Sequence, residues 1–271
     1  MRVDVLTLFP EFFDSPLATS FFRRATDQGA WQVTVHDIRE QTPPGVHRQC
    51  DDTPYGGGPG MVMQLDPVVK SLEALGYSAV PKRKRTDARI VLLSASGVPL
   101  TQSKAEELAG LQKLTLICGH YEGMDERLMD LFPIEEICIG DYVLTGGESA
   151  ALVVLDAVVR LLPEVLGNPE SLREESFQDG LLDFPVYTKP ADYRGVAAPA
   201  VLLSGHHGQI AQWRRQQALL KTARHRPDLF VKLRVTAAEA EWLREQGIEV
   251  SDEAIIPAVA KSKSRSRRAT S

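Results

Sequence analysis

The chain has 271 residues, is 43% hydrophobic and 25% charged, and carries a formal net charge of −5, a composition that fits one large globular domain or two modest ones. The negative balance excludes holding nucleic acid by bulk charge, so any RNA contact must rest on local basic clusters. No apolar run approaches the ~20 residues of a membrane span, and the opening MRVDVLTLFP lacks signal-peptide anatomy, which points to the cytoplasm.

Arg2 to Phe9 alternates and is rich in β-formers, so it reads as a first strand. Ser15-Pro16 is a cap followed by a first-turn proline and predicts a helix through about Gln28. Trp31 to Ile38 alternates again, and strand, helix, strand at this spacing implies a βαβ unit and a parallel sheet. The segment Asp51 to Met63, DDTPYGGGPGMVM, reads as a glycine-rich loop; it has neither a Walker lysine nor a G-x-G-x-x-G fingerprint. Asp66-Pro67 starts a helix that Gly76 stops. The run Lys82 to Arg85, KRKR, is either a solvated loop or an RNA contact. A strand from Arg89 to Leu93 is expected to end in Ser94-Ala95-Ser96-Gly97, and Thr101 caps a helix to about Leu111.

The stretch Leu114 to Arg160 is the most informative. An apolar run, Leu114 to Cys118, breaks into Gly119 and the polar cluster His120, Tyr121, Glu122, Gly123. A second run ends at Ile139 and breaks into Gly140, Asp141, Tyr142, then Gly146 and Gly147. An apolar helix, Glu148 to Leu162, follows with Asp156 and Arg160 on one face. Strands that end in glycine-rich loops suggest a small-molecule site at the carboxyl edge of a sheet, because glycine lets backbone groups approach a ligand. The bland alternative is a set of ordinary turns. Cys118 and Cys138 lie in the apolar runs; with Cys50 they are three, without metal-ligand spacing, and read as buried reduced thiols.

From Pro163 to Pro199 periodicity collapses under five prolines, yet aromatics and aliphatics persist, so the stretch reads as a linker into a second domain. Ser204 is expected to cap a helix from about His206 to Arg224, with further helices at Asp228 to Leu233 and Ala237 to Gln246. This part is locally basic, with Arg214, Arg215, Lys221, Arg224, Arg226, Lys232 and Arg234. The last residues, KSKSRSRRATS, are low-complexity and cationic.

CGHYEGMDER followed by IGDYVLTGGE closely resembles the paired signatures of bacterial tRNA (guanine-N1)-methyltransferases, the TrmD family. DDTPYGGGPGMVM and SFQDGLLDFPVYTKP also resemble family segments, so the likeness spans nearly the whole chain. It implies methyl transfer from S-adenosylmethionine to N1 of guanosine at tRNA position 37. It also implies an α/β fold of SPOUT type with a parallel sheet and a deep trefoil knot, followed by a small helical C-terminal domain. The expected division is a donor-binding domain over 1–166, a linker over 167–179, a helical tRNA-binding domain over 180–252 and a disordered basic tail over 253–271. The family forms homodimers with the active site between subunits and requires Mg2+, for which no ligand set is visible in this sequence.

The resemblance assigns the donor pocket to Leu93, Gly119, Tyr121, Ile139, Gly140, Asp141, Tyr142, Val143, Leu144, Gly146 and Gly147, and substrate contacts to Glu122, Asp183 and Lys189. N1 of guanine carries a proton near neutral pH, so the reaction needs a base and a cation to steady charge on O6. The family's arginine maps to Arg160, which otherwise reads as a helix-surface partner of Asp156 at i, i+4. Its aspartate maps to Glu175, because this chain reads Glu174-Glu175-Ser176-Phe177 where the family has acidic-Asp-Ser-Phe. Asp179, Asp183 and Glu174 are the alternative bases. Two other readings stay open: methylation of a different RNA position, and a catalytically silent RNA-binding relative.

Overall fold

The computed structural model describes residues 1–43, 48–79, 87–166, 175–177 and 179–256. The chain forms two compact units, Met1–Pro169 and Glu170–Ser271. In the first, five parallel strands run β1 (Arg2–Thr7), β2 (Gln32–Asp37), β3 (Ala88–Pro99), β4 (Lys113–Cys118) and β5 (Ile134–Cys138). Their order across the sheet is β2-β1-β4-β3-β5. Parallel strands are covered on both faces, and the side-chain period of two sends alternate residues to opposite layers. Val3 and Val5 of β1, Val91 and Leu93 of β3, and Leu114, Leu116 and Cys118 of β4 face one core. Helices α1 (Ser20–Asp27), α3 (Gln102–Ala109) and α5 (Glu148–Val159) supply Ala25, Leu108, Val154, Leu155 and Val158 to it. Leu6, Ile90, Leu92 and Ile117 face the other core, with Val68 and Leu72 of α2 (Leu65–Ala74) and Leu128 of α4 (Arg127–Leu131).

Several elements match the sequence expectation closely, and others depart from it for visible reasons. Thr101 caps α3 by accepting the Lys104 amide. The single helix expected from Ser15 to Gln28 is broken, with a short helix Asp14–Leu17 and then α1. Thr19 is extended and Ser20 has φ +50°, so the chain turns where propensity alone would continue. Nor does β3 stop at Leu93. The Ser94–Gly97 segment slips out of register, and pairing with β5 resumes at Val98 and Pro99. Gly97 makes this possible: a Cβ there would lie 2.5 Å from the carbonyl carbon of Glu136, on the backbone of β5.

The second unit packs α6 (His207–His225) and α7 (Ala237–Glu245) around Leu181, Leu219, Val235, Ala240 and Leu243. Thr222 donates to the Ala218 carbonyl and accepts the Leu182 amide at 2.9 Å, tying the incoming chain to α6. Ser204 does not cap α6 by its side chain; it ends a four-residue helix, Ala200–Leu203, and accepts the His206 amide across Gly205, whose φ is +72°. The helix expected over Asp228 to Leu233 is only Pro227–Phe230. Thr236 and Glu239 form a reciprocal capping box on α7. The KRKR run, the residues 167–174 of the linker and the tail from 257 on lie outside the described residues.

Among the described residues, one charged group is fully buried within the sheet. Asp4 on β1 is fully buried, and it accepts from His36 Nε2 at 2.9 Å and from Arg2 at 3.1 and 3.2 Å, with Lys113 Nζ 3.7 Å away. Burial by itself would raise its carboxyl, but these bonds and charges outweigh burial and hold it below its ordinary 3.8. A carboxyl lowered in the folded state stabilises fully above its unfolded value and loses that contribution as pH falls through the folded one. Two outcomes are expected. Asp4→Asn should cost about 1–3 kcal/mol at neutral pH, and urea unfolding should show the gap to wild type closing as pH drops below about 4. Gly97→Ala should cost about 1–3 kcal/mol by forcing β3 and β5 apart, read in the same unfolding experiment at pH 7.

Candidate small-molecule site at the sheet edge

Because the strands are parallel, the out-of-register stretch within β3 and the segments following β4 and β5 lie toward one edge of the sheet. Ser94–Ser96, Gly119–Met124 and Ile139–Gly147 enclose a cleft of about 480 Å³, inside the ~300–1,000 Å³ range of small-molecule sites. Leu93, Gly119, Tyr121, Ile139, Gly140, Tyr142, Val143, Leu144, Gly146 and Gly147 line it. Asp141, grouped with them from sequence, is exposed and does not line the cleft. Val143 is 95% exposed and Tyr142 57%, so the rim offers apolar surface to water. The lining combines apolar side chains (Leu93, Ile139, Val143, Leu144) with glycine backbone and polar groups such as Glu122, which suits a ligand with both apolar and polar parts.

The cleft is built by close backbone approach. Gly147 donates its amide to the Gly119 carbonyl at 2.9 Å, and a Cβ on Gly147 would fall 2.6 Å from Cys118 Cα. His120 and Gly146 form an isolated antiparallel bridge. Beneath them lies a buried polar chain that sequence reasoning did not assign. Glu148, the first residue of α5 and 4% exposed, has its two carboxylate oxygens 2.8 and 2.7 Å from His120 Nε2. Thr7, at the end of β1, donates its hydroxyl to the same carboxylate at 2.5 Å and accepts the Phe9 amide. In sequence, an acidic residue at a helix start reads as a dipole partner; its burial depends on β1 and β4 meeting there, which no local pattern announces.

Tyr121 has φ +60°, a conformation costly for a bulky residue. Burial first, then the neighbouring Asp51 carboxylate and a hydrogen bond to it, push its phenol up, so it stays a neutral donor. Glu122 also lines the cleft. Its amide donates to the Met61 carbonyl at 3.0 Å, and Met63 donates to Gly123 at 2.9 Å. The glycine-rich Asp51–Met63 loop is thus laced to the His120–Met124 turn. Gly60 passes so near the Glu122 side chain that a Cβ would collide with it. Burial and Asp37 push the Cys50 thiol up to about 11, and burial and Glu148 push Cys118 well above its usual value. All three cysteines are free and buried.

The candidate catalytic residues are not gathered at this cleft within the first unit. Arg160 caps the far end of α5, about 18 Å along a twelve-residue helix from Gly147. Glu175 belongs to the second unit and is half-buried. Ser176, next to it, accepts the Asp183 amide at 3.0 Å. Asp183 accepts Lys221 Nζ at 3.0 Å, and that bond is the main reason its carboxyl sits below the usual range. Asp179 and Lys189 are exposed, and Glu174 lies outside the described residues. Of the basic residues of this unit, Arg215 pairs with Glu239 and Arg226 with Asp228. Among the described residues no group of three His, Cys, Asp or Glu is placed to hold a metal ion, and no helix is long and apolar enough to cross a membrane.

A family model for tRNA (guanine-1)-methyltransferase TrmD matches residues 1–232. A tRNA (guanine-N(1)-)-methyltransferase of Moorella thermoacetica is 50% identical over 245 residues, covering 90% of this chain and 96% of its own. That of Heliobacterium modesticaldum is 49% identical over 253 residues, covering 92% and 93%. The enzyme of that name from Geobacter sulfurreducens is 48% identical, covering 90% and 96%. With a family match over most of its length and relatives at this identity, the chain belongs to the TrmD family of tRNA (guanine-1)-methyltransferases.

Proposed function

We propose that this protein is a cytoplasmic enzyme that methylates N1 of guanosine in tRNA, at position 37, with S-adenosylmethionine as donor. The observation that carries the reading is the cleft at the carboxyl edge of the sheet, with an apolar rim and glycine backbone at its floor, in a chain of this family. Its lining fits the donor: Leu93, Ile139 and Leu144 offer apolar faces to an adenine ring, and the backbone at Gly119 and Gly140 offers polar atoms to its edge. When bound, S-adenosylmethionine supplies an electrophilic methyl group.

The chain's own residues handle the guanine. Glu175 accepts the N1 proton, and Arg160 donates to O6 as negative charge gathers there. Among the acidic neighbours, Asp183 is the weaker choice of base, because its ion pair with Lys221 lowers its proton affinity; it and Lys189 serve better as substrate contacts, with Glu122 at the cleft. The position of Arg160 at the far end of α5 from the cleft of its own chain favours a homodimer, in which a second copy brings its arginine to the site. In this reading residues 1–166 form a SPOUT domain with a trefoil knot, 167–179 link it onward, 180–252 form a helical tRNA-binding domain, and the basic 253–271 segment draws RNA by charge. Such binding weakens with salt. Mg2+ is proposed as a requirement of the reaction without an assigned site.

Methyl transfer from labelled S-adenosylmethionine to two tRNA transcripts tests this. Label is expected on the transcript with guanosine at position 37 and not on one with adenosine there; equal label on both would place the target elsewhere. Glu175→Gln should lower turnover about a hundredfold or more while leaving donor affinity unchanged. Near-wild-type turnover would move the base to Asp179 or Asp183, and donor binding without turnover in the wild type would favour the silent RNA-binding relative.

A further inference from the structure

We infer that His120, Glu148 and Thr7 form a positioning clamp that holds the donor cleft in its binding shape. The inference rests on the reading of that cleft as the donor site. Three chain segments meet in this hydrogen-bonded chain beside the cleft: Thr7 closes β1, His120 follows β4, and Glu148 opens α5 directly after the Ile139–Gly147 loop.

The donor and acceptor roles are fixed by what each group can do. Thr7 Oγ1 accepts the Phe9 amide, so its own proton goes to Glu148. A carboxylate only accepts, so His120 must carry its proton on Nε2 and donate it. The backbone and the ring of His120 have further neighbours. The His120 amide donates to Met63 Sδ at 3.2 Å, and the Phe9 ring lies 5.0 Å from the imidazole centroid. Gly146 leaves no space for a Cβ beside the ring's Cε1 and Nε2 atoms. Glu148 itself does not line the cleft, whereas His120 does. The carboxylate therefore acts through the histidine and through the loop whose end it anchors, and neither residue needs to touch the reacting atoms.

The consequence is selective. Releasing the clamp should free Gly146-Gly147 from the β4 end and weaken donor binding, while the methyl-transfer step at saturating donor proceeds nearly as before. Calorimetric titration of S-adenosylmethionine into the full-length protein tests it. His120→Ala should raise the dissociation constant about tenfold or more, the size of one lost hydrogen bond to a charged group. His120→Gln, whose amide nitrogen reaches the Nε2 position, should recover most of that loss. Thr7→Val, which removes one donor to the carboxylate at a site away from the cleft, should weaken binding in the same direction by a smaller factor. In the double variant of Thr7 and His120 the two losses should not add, because they act on one carboxylate. Steady-state kinetics should show the change in KM for the donor and not in kcat, with thermal melting confirming that each variant is folded.

The clamp is overturned if folded His120→Ala binds the donor as the wild type does. It is also overturned if glutamine rescues no better than alanine, which would mean that the ring itself touches the ligand. No donor binding by the wild type would remove the cleft assignment and this inference together, whereas unchanged binding by every variant would remove the clamp alone.

Discussion

Gly147 lies against the end of β4 with no space for a side chain, and the site depends on that approach. It brings the first turn of α5 down onto Gly119 and delivers Glu148 to a position where His120 and Thr7 can reach its carboxylate. The same contact sets the Ile139–Gly147 loop as one wall of the cleft. Burying a carboxylate costs far more than burying an apolar side chain unless it is hydrogen-bonded. Here two donors, one from each of two neighbouring strands' ends, meet that requirement. Function and folding therefore share one constraint: what fixes α5 onto the sheet also shapes the cleft.

A second buried carboxylate, Asp4, does comparable work in the sheet interior, where Arg2, His36 and Lys113 gather from three neighbouring strands. Asp4 pins the register of β1 between β2 and β4, and three residues farther along β1 Thr7 faces Glu148. The strand is thus held by charge at its start and by hydrogen bonding at its end, with Val3, Val5 and Leu6 filling the layers between. In the second unit the carboxylates are arranged differently. Asp183 is engaged by Lys221 and Glu239 by Arg215, so these two carboxylates are neutralised by side-chain cations of their own unit.

The sheet was legible because its strands are short apolar runs bounded by glycine, and because Val3/Val5 and Leu114/Leu116 repeat at the period of a buried strand. The cleft walls were legible for the same reason: Gly119, Gly140 and Gly146-Gly147 mark where strands end. Local pattern failed where a distant contact decides. Ser94–Gly97 looks like a strand end, yet β3 resumes because Gly97 can pass the backbone of β5. Ser20 breaks a helix that its neighbours would continue. Thr7, His120 and Glu148 are separated by more than a hundred residues across the set, so no spacing rule joins them. The assignment of Glu175 and Arg160 came from motif resemblance; neither residue has a local signature of catalysis.

The most direct test of the account is the chemical identity of the product. Transfer RNA incubated with the full-length protein and S-adenosylmethionine would be digested to nucleosides and analysed by mass spectrometry against authentic standards. The account predicts 1-methylguanosine as the new nucleoside, formed in multiple turnovers. A methyl group on another guanine atom, on ribose, or on a different base would contradict it.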